Sequence, residues 1–201
     1  MVTRNIRVSY IFYIAVLSAL LLSSCATKRK VLVNPASNKG RPLEKKTVLT
    51  DASDARDIVL TGAKYDDYAR LLGVATKELN NKSLYNFIDS WMGSPHRLGG
   101  SHKSGIDCSR FVGILYESVY GKDLPRTSRD MGDRVKRKYE KGLKEGDLVF
   151  FSFGGKNIDH VGVYLQNNKF VHVSTKRGVI ISNLRDSWYY KYFVRAGTPT
   201  I

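Results

Sequence analysis

The spacing of apolar residues changes after Tyr139, and this change limits the folds that the chain can adopt. Before it, apolar residues recur at helical spacing, most clearly at Leu84, Ile88 and Trp91. After it, short β-prone runs are separated by turn-forming pairs such as Asn167-Asn168. The runs occupy residues 148–151, 161–165, 170–173, 179–181 and 192–194. Helices followed by strands predict an α+β domain with an antiparallel meander and tight turns.

The helical part of the chain contains several predicted segments. Residues 52–91 are predicted to be helical. A glycine-rich turn over residues 99–105 leads to a further helix, which begins at or beside Cys108 and ends at Gly121. Residues 128–139 are charged and are predicted to form one more short helix. The thiol of Cys108 is therefore expected at a helix N-terminus.

The N-terminal residues 1–24 have the pattern of a secretory signal peptide, with two arginines, an apolar run over residues 10–22 and two serines. The run is shorter than the roughly 20 residues that a membrane-spanning helix needs. Residues 22–25 resemble the bacterial lipobox, so Cys25 is the predicted site of lipid attachment; the alternative is an ordinary signal peptide with an incidental cysteine. Ala26 stands where an aspartate would favour the inner membrane. We therefore expect a lipid-anchored protein of the cell envelope, at the outer membrane and in the periplasm.

The remaining chain divides into a tether and a folded domain. Residues 25–50 are polar and basic and contain two prolines, which is typical of a flexible tether. Residues 51–201 carry the predicted domain. The formal net charge of +15 favours polyanions at a membrane or cell wall. Because the chain carries a predicted export signal, we expect no nucleic-acid partner. The sequence does not identify a protein partner.

The cysteine count gives Cys108 a special position. The chain has two cysteines, and if Cys25 carries lipid, Cys108 has no partner for a disulfide. Such a thiol is either buried and inert or kept for its reactivity. A helix N-terminus supplies free amides and a partial positive charge, which favour a reactive thiolate. Cys108 is thus the candidate nucleophile.

Two of the four histidines lie on neighbouring β-prone runs. If Asn167-Asn168 forms a hairpin turn, His160 and His172 can point the same way. One imidazole would then serve as general base while the second fixes its tautomer and orientation. A zinc site built from the same three residues is the chemical alternative, but no CxxC or HExxH spacing accompanies them. We expect no metal and no cofactor.

Four segments in order carry a family resemblance: residues 91–100, 105–109, 143–151 and 159–164. Together they resemble the NlpC-type cell-wall cysteine peptidases over about residues 84–199. The resemblance implies a papain-like fold and hydrolysis of amide bonds in peptidoglycan stem peptides or their cross-links. It also implies that Cys108 is the nucleophile, His160 the general base and acid, and His172 the orienting residue. Residues 124–128 resemble a further family segment, to which no catalytic role is assigned.

One position departs from the family pattern. The family often has a tyrosine that assists the oxyanion where this chain has His96. A neutral imidazole can donate the same hydrogen bond, so His96 is either an oxyanion donor or a structural residue. His102 is expected to face solvent or substrate. Two other functions use the same residues: a non-catalytic module that binds the cell wall, and an amidase or acyltransferase with the same Cys-His pair. Residues 52–83 either narrow access for substrate or pack on the core.

Overall fold

A computed structural model describes residues 57–58 and 65–200 of the chain. The predicted signal peptide (1–24), the tether (25–50) and the lipid site Cys25 lie outside the described residues. No helix in the described part is both long and apolar enough to cross a membrane.

The helices begin and end at residues that satisfy their free backbone groups. The side chain of Asn81 accepts a hydrogen bond from the Leu84 amide at 3.0 Å and so caps one helix. Asp107 caps another by accepting from the Arg110 amide at 2.7 Å, and Gly121 ends that helix in the left-handed conformation with φ 63°. The helices are α1 (Tyr65–Leu72), α2 (Lys82–Trp91), α3 (Cys108–Tyr120), α4 (Ser128–Asp133) and α5 (Ser187–Tyr192).

Seven of the described strands form one antiparallel sheet in the order β1-β8-β7-β6-β5-β9-β4, and β2 pairs with β3 in a separate ribbon. The strands are β1 (Asp57–Ile58), β2 (Ser101–His102), β3 (Gly105–Ile106), β4 (Val135–Arg137), β5 (Leu148–Phe151), β6 (His160–Tyr164), β7 (Lys169–Ser174), β8 (Gly178–Asn183) and β9 (Phe193–Pro199).

The turn between β6 and β7 sets the position of the two histidines. Asn167 and Asn168 have φ values of 48° and 62°, as a two-residue turn between twisted strands requires, and asparagine tolerates this conformation. Leu165 and Gln166 both hydrogen-bond to Lys169 beside this turn, so one extra residue lies on the β6 side, and the register pairs Gly162 with His172. Because side chains alternate along a strand, His160 lies on the same face as Gly162 and next to His172.

The sheet has a different apolar cluster on each face. One face carries Val161, Val163 and Val171, which are fully buried in the main core with helices α1 to α4. The other face carries a smaller aromatic cluster that includes Phe151, Phe170 and the half-covered helix α5. The histidines belong to the aromatic side, where the His172 ring stacks on Phe170 with centroids 4.9 Å apart. The aromatic cluster consists of Val149, Phe151, Tyr164, Phe170, Leu184, Tyr189 and Ala196.

The predicted α+β class is confirmed, while several local predictions were wrong. Residues 57–58 form a strand on β8, and the supposed glycine-rich turn contains the ribbon of β2 and β3. The predicted helix over residues 128–139 ends at Asp133, and Val135–Arg137 forms a strand on β9. β9 in turn leaves the meander and pairs with β5. The ribbon of β2 and β3 is a local hairpin within the glycine-rich segment. The other errors share one cause: the strand is stabilised by a partner distant in sequence, which local spacing cannot reveal.

Candidate active site

Cys108 is the first residue of α3 and follows the capping residue Asp107. Burial raises the pKa of its thiol to about 11. The amide of Val161 on β6 hydrogen-bonds to the sulfur and lowers the pKa, the Asp107 carboxylate raises it, and the amides of Ser109 and Cys108 itself lower it. The helix N-terminus therefore supplies the expected amides, but burial outweighs them, and the resting thiol is protonated at neutral pH.

His160 and His172 are buried side by side, with 8% and 2% of their surfaces exposed. Nε2 of His160 lies 2.9 Å from Nδ1 of His172. Nε2 of His172 lies 2.9 Å from Oγ of Ser182 and 3.2 Å from the hydroxyl of Tyr189. A chain of hydrogen bonds thus runs from the first imidazole into the sheet.

This series of hydrogen bonds determines which nitrogen of His160 can act on a thiol. Since Nε2 faces His172, Nδ1 is the nitrogen that remains for Cys108. For Nδ1 to accept a proton, the neutral ring must carry its hydrogen on Nε2 and donate it to Nδ1 of His172. His172 then carries its own hydrogen on Nε2, where Ser182 accepts it. The role of base therefore assigns the tautomer of both rings.

Both imidazoles are held neutral by their surroundings. Burial lowers the pKa of His160 to about 4; nearby Asp159 partly opposes this, and His96 adds to it. Burial and the neighbouring His160 hold the pKa of His172 well below its usual range. At neutral pH the site thus contains a thiol and two neutral rings, a combination in which His160 can act as a base.

Arg126 fixes the start of helix α3. Its guanidinium binds both carboxylate oxygens of Asp107, with the shorter contact 2.6 Å long, and donates to Oγ of Ser109 at 2.9 Å. Burial alone would raise the pKa of Asp107, but the hydrogen bonds from Arg126, Arg110 and Ser109 lower it overall. Arg126 was not among the predicted site residues, although it lies in the family segment 124–128 that had no assigned role.

One cleft, with a volume of about 670 Å³, is lined by both Cys108 and His160. His96 also lines it. The segment that carries His96 is held beside β3, because the amide of Arg97 donates to the carbonyl of Ile106 and the amide of Ile106 donates to the carbonyl of Pro95. His96 is half-buried. His102, in contrast, is exposed on β2. Within residues 57–58 and 65–200, no group of three or more His, Cys, Asp or Glu side chains is arranged to hold a metal ion.

A thiol at a helix start, an imidazole in the same cleft and a second imidazole behind it are the parts of a thiol peptidase. The fold and this site define a cysteine peptidase.

Comparisons with known proteins agree with this class. The model of the NlpC/P60 family matches residues 93–198. A murein DD-endopeptidase/murein LD-carboxypeptidase of Escherichia coli is 35% identical over 182 residues, which cover 90% of this chain and 88% of the relative. A probable endopeptidase of Haemophilus influenzae is 36% identical over 118 residues, or 59% of this chain and 62% of the relative. The chain therefore belongs to the NlpC/P60 family, and the predicted resemblance is confirmed.

A solved structure shares the fold. The crystal structure of a family protein from Bacillus cereus superimposes with a TM-score of 0.55 at 27% identity, covering 60% of this chain and 40% of that chain.

Proposed function

We propose that the protein is a peptidoglycan endopeptidase that hydrolyses amide bonds in stem peptides or their cross-links by a Cys-His-His mechanism. The observation that carries this proposal is the shared cleft of Cys108 and His160, with His172 bonded behind the base. The relatives support the substrate class, because the Escherichia coli protein is named a murein endopeptidase.

The first half-reaction forms a thioester. Sγ of Cys108 attacks the amide carbon while its proton passes to Nδ1 of His160. The carbon–nitrogen bond then breaks, and the proton on Nδ1 is given to the departing amine. His172 accepts a hydrogen bond from Nε2 of His160 and so holds the ring in place. The transferred proton is therefore carried on Nδ1, on the side of the cleft. The acyl half of the substrate remains on sulfur.

Water completes the second half-reaction. Nδ1 of His160 takes a proton from a water molecule as the oxygen attacks the thioester carbon. The carbon–sulfur bond breaks, the proton returns to sulfur, and a carboxylic acid leaves. In both halves the negative charge on oxygen is placed between the Cys108 amide and His96, where donors would stabilise it.

Attachment to the envelope completes the proposal. A lipid on Cys25 would hold the domain at the outer membrane, with residues 25–50 as the tether across the periplasm. The net charge of +15 supports attraction to anionic headgroups and wall polymers.

Digestion of purified peptidoglycan by the full-length protein tests the mechanism. The wild-type protein should release fragments whose masses identify the cleaved bond, whereas Cys108→Ala should release none. The same digestion compares His96→Ala with His102→Ala, its matched control. We expect a loss of about 10²-fold in kcat for the former, as for removal of an oxyanion donor, and little change for the latter.

Two results would contradict the proposal. Equal products from the wild-type protein and Cys108→Ala would remove the thiol from the chemistry. Binding of peptidoglycan with no released fragment would instead favour the non-catalytic wall-binding module.

A further inference from the structure

A second pocket, of about 220 Å³, continues the active-site cleft on the far side of His160. Phe153, His160 and Thr175 line both the cleft and this pocket, so the two spaces adjoin. Cys108 lines only the cleft, whereas His172 lines only the second pocket. The pocket therefore lies on the Nε2 side of the base, opposite the side that faces the thiol.

The chemistry of the reaction assigns a direction to this pocket. The base that accepts the thiol proton later gives it to the departing amine, so the amine half of the substrate must lie toward His160. A chain that leaves Cys108 and passes His160 next reaches the second pocket. This step rests on the proposed function.

Trp188 forms an exposed aromatic wall of the pocket. Its side chain is 53% exposed, although it is held between neighbouring rings. Phe153 stacks against it at 6.3 Å with an interplanar angle of 15°, and Tyr192 meets it edge-on at 5.0 Å. The tryptophan is therefore pre-positioned, and its open face gains contacts only when another group covers it.

The character of the lining restricts the occupant. None of the described residues that line this pocket is Asp, Glu, Lys or Arg, and its polar groups are hydroxyls, imidazoles and the indole N–H of Trp188. The adjoining cleft, in contrast, contains Arg126, Asp107 and Asp159. Charged parts of a substrate are thus accommodated in the cleft, and the second pocket suits an uncharged aliphatic segment.

We propose that the pocket walled by Trp188 and Phe153 is the leaving-group subsite and binds the straight aliphatic chain of the amino acid whose amine is released. A long methylene chain can lie along the open face of the indole, whereas a glycine in the same position leaves that face in water. Trp188 is then a residue that determines specificity and takes no part in bond cleavage.

Two substrates with the same acyl half test the subsite, one releasing norleucine, which has a straight uncharged side chain, and the other releasing glycine. Trp188→Ala should lower kcat/KM about tenfold for the norleucine substrate and less than twofold for the glycine substrate. Trp188→Phe should restore most of the loss. Tyr190→Ala is the matched control, because Tyr190 lies on the same helix and is 50% exposed but lies outside the pocket lining. An equal loss on both substrates, or none on either, would overturn the proposal.

A binding measurement separates this proposal from the proposed function. The Cys108→Ala protein is titrated with a norleucine-containing dipeptide and with diglycine while indole fluorescence is recorded. Trp91 is 8% exposed, so the response comes mainly from Trp188. A change with the norleucine peptide that disappears in Trp188→Phe supports the subsite even if the wild-type protein cleaves no peptidoglycan, and the absence of any change refutes it.

Discussion

The protonation state of the catalytic pair can be measured through alkylation of Cys108. Burial places the pKa of the thiol at about 11 and that of His160 at about 4. Moving the proton from sulfur to the ring therefore costs about 10 kcal/mol before the new charges attract each other. Two charges about 4 Å apart at an effective dielectric constant of about 20 return about 4 kcal/mol. The neutral pair is thus favoured by about 6 kcal/mol, and the thiolate–imidazolium pair is a minor state.

Iodoacetamide gives the assay, because it reacts with the thiolate. The protein is treated at a series of pH values between 5 and 10, and modification of the peptide that contains Cys108 is followed by mass, which separates it from Cys25. We expect the rate to rise about tenfold per pH unit up to pH 9 or beyond, since each unit raises the thiolate fraction tenfold below the pKa. His160→Ala should leave this slope unchanged.

An ion pair would give a different result. The alkylation rate would then be nearly constant from pH 5 to pH 8, and His160→Ala would abolish that plateau. Observation of the plateau would refute the reasoning that burial dominates at this site.

Three further experiments test the residues that hold the site in place. The pKa of His160 is lower in the folded state (about 4) than its ordinary value of 6.5. Its contribution to stability is therefore present above pH 6.5 and falls by about 3 kcal/mol as the pH drops to 4, which urea unfolding at several pH values can measure. Arg126→Gln should lower kcat about tenfold, with a smaller effect on KM, because Asp107 loses the partner that fixes the start of α3; steady-state kinetics with unchanged kcat would contradict this. Gly162→Ala should lower the free energy of unfolding by about 1–3 kcal/mol, because its Cβ would lie 2.8 Å from the Phe170 ring. The control Gly113→Ala places its Cβ in open space within a helix and should be neutral or slightly stabilising.

The sequence predicted those parts of the site that depend on local signals. Asp107 is a capping residue directly before Cys108, and so the helix start could be inferred from neighbouring positions. The pair Asn167-Asn168 indicated the turn that makes β6 and β7 neighbours. The common face of His160 and His172 also depends on the extra residue at Leu165 and Gln166, because a strict two-residue turn would pair Val163 with His172. Both inferences need only residues that are close in the chain.

Features that depend on distant partners could not be predicted in the same way. Arg126 binds Asp107 across 19 positions, and a single arginine in a loop gives no indication of its partner. Val135–Arg137 becomes a strand only because β9 returns beside it. The raised pKa of Cys108 has the same origin, since burial of the sulfur depends on how α3 packs against the sheet.

The nucleophile and the base belong to different layers of the fold, so their geometry depends on how these layers are joined. Cys108 is carried by helix α3, whereas His160 is the first residue of strand β6. The hydrogen bond from the Val161 amide to the sulfur joins them directly, because Val161 is the neighbour of the base in sequence. The same residue inserts its side chain into the main core, where it is fully buried with Val112 of α3. One strand residue therefore both packs against the helix and touches the thiol, which couples the position of Cys108 to the strand that carries His160.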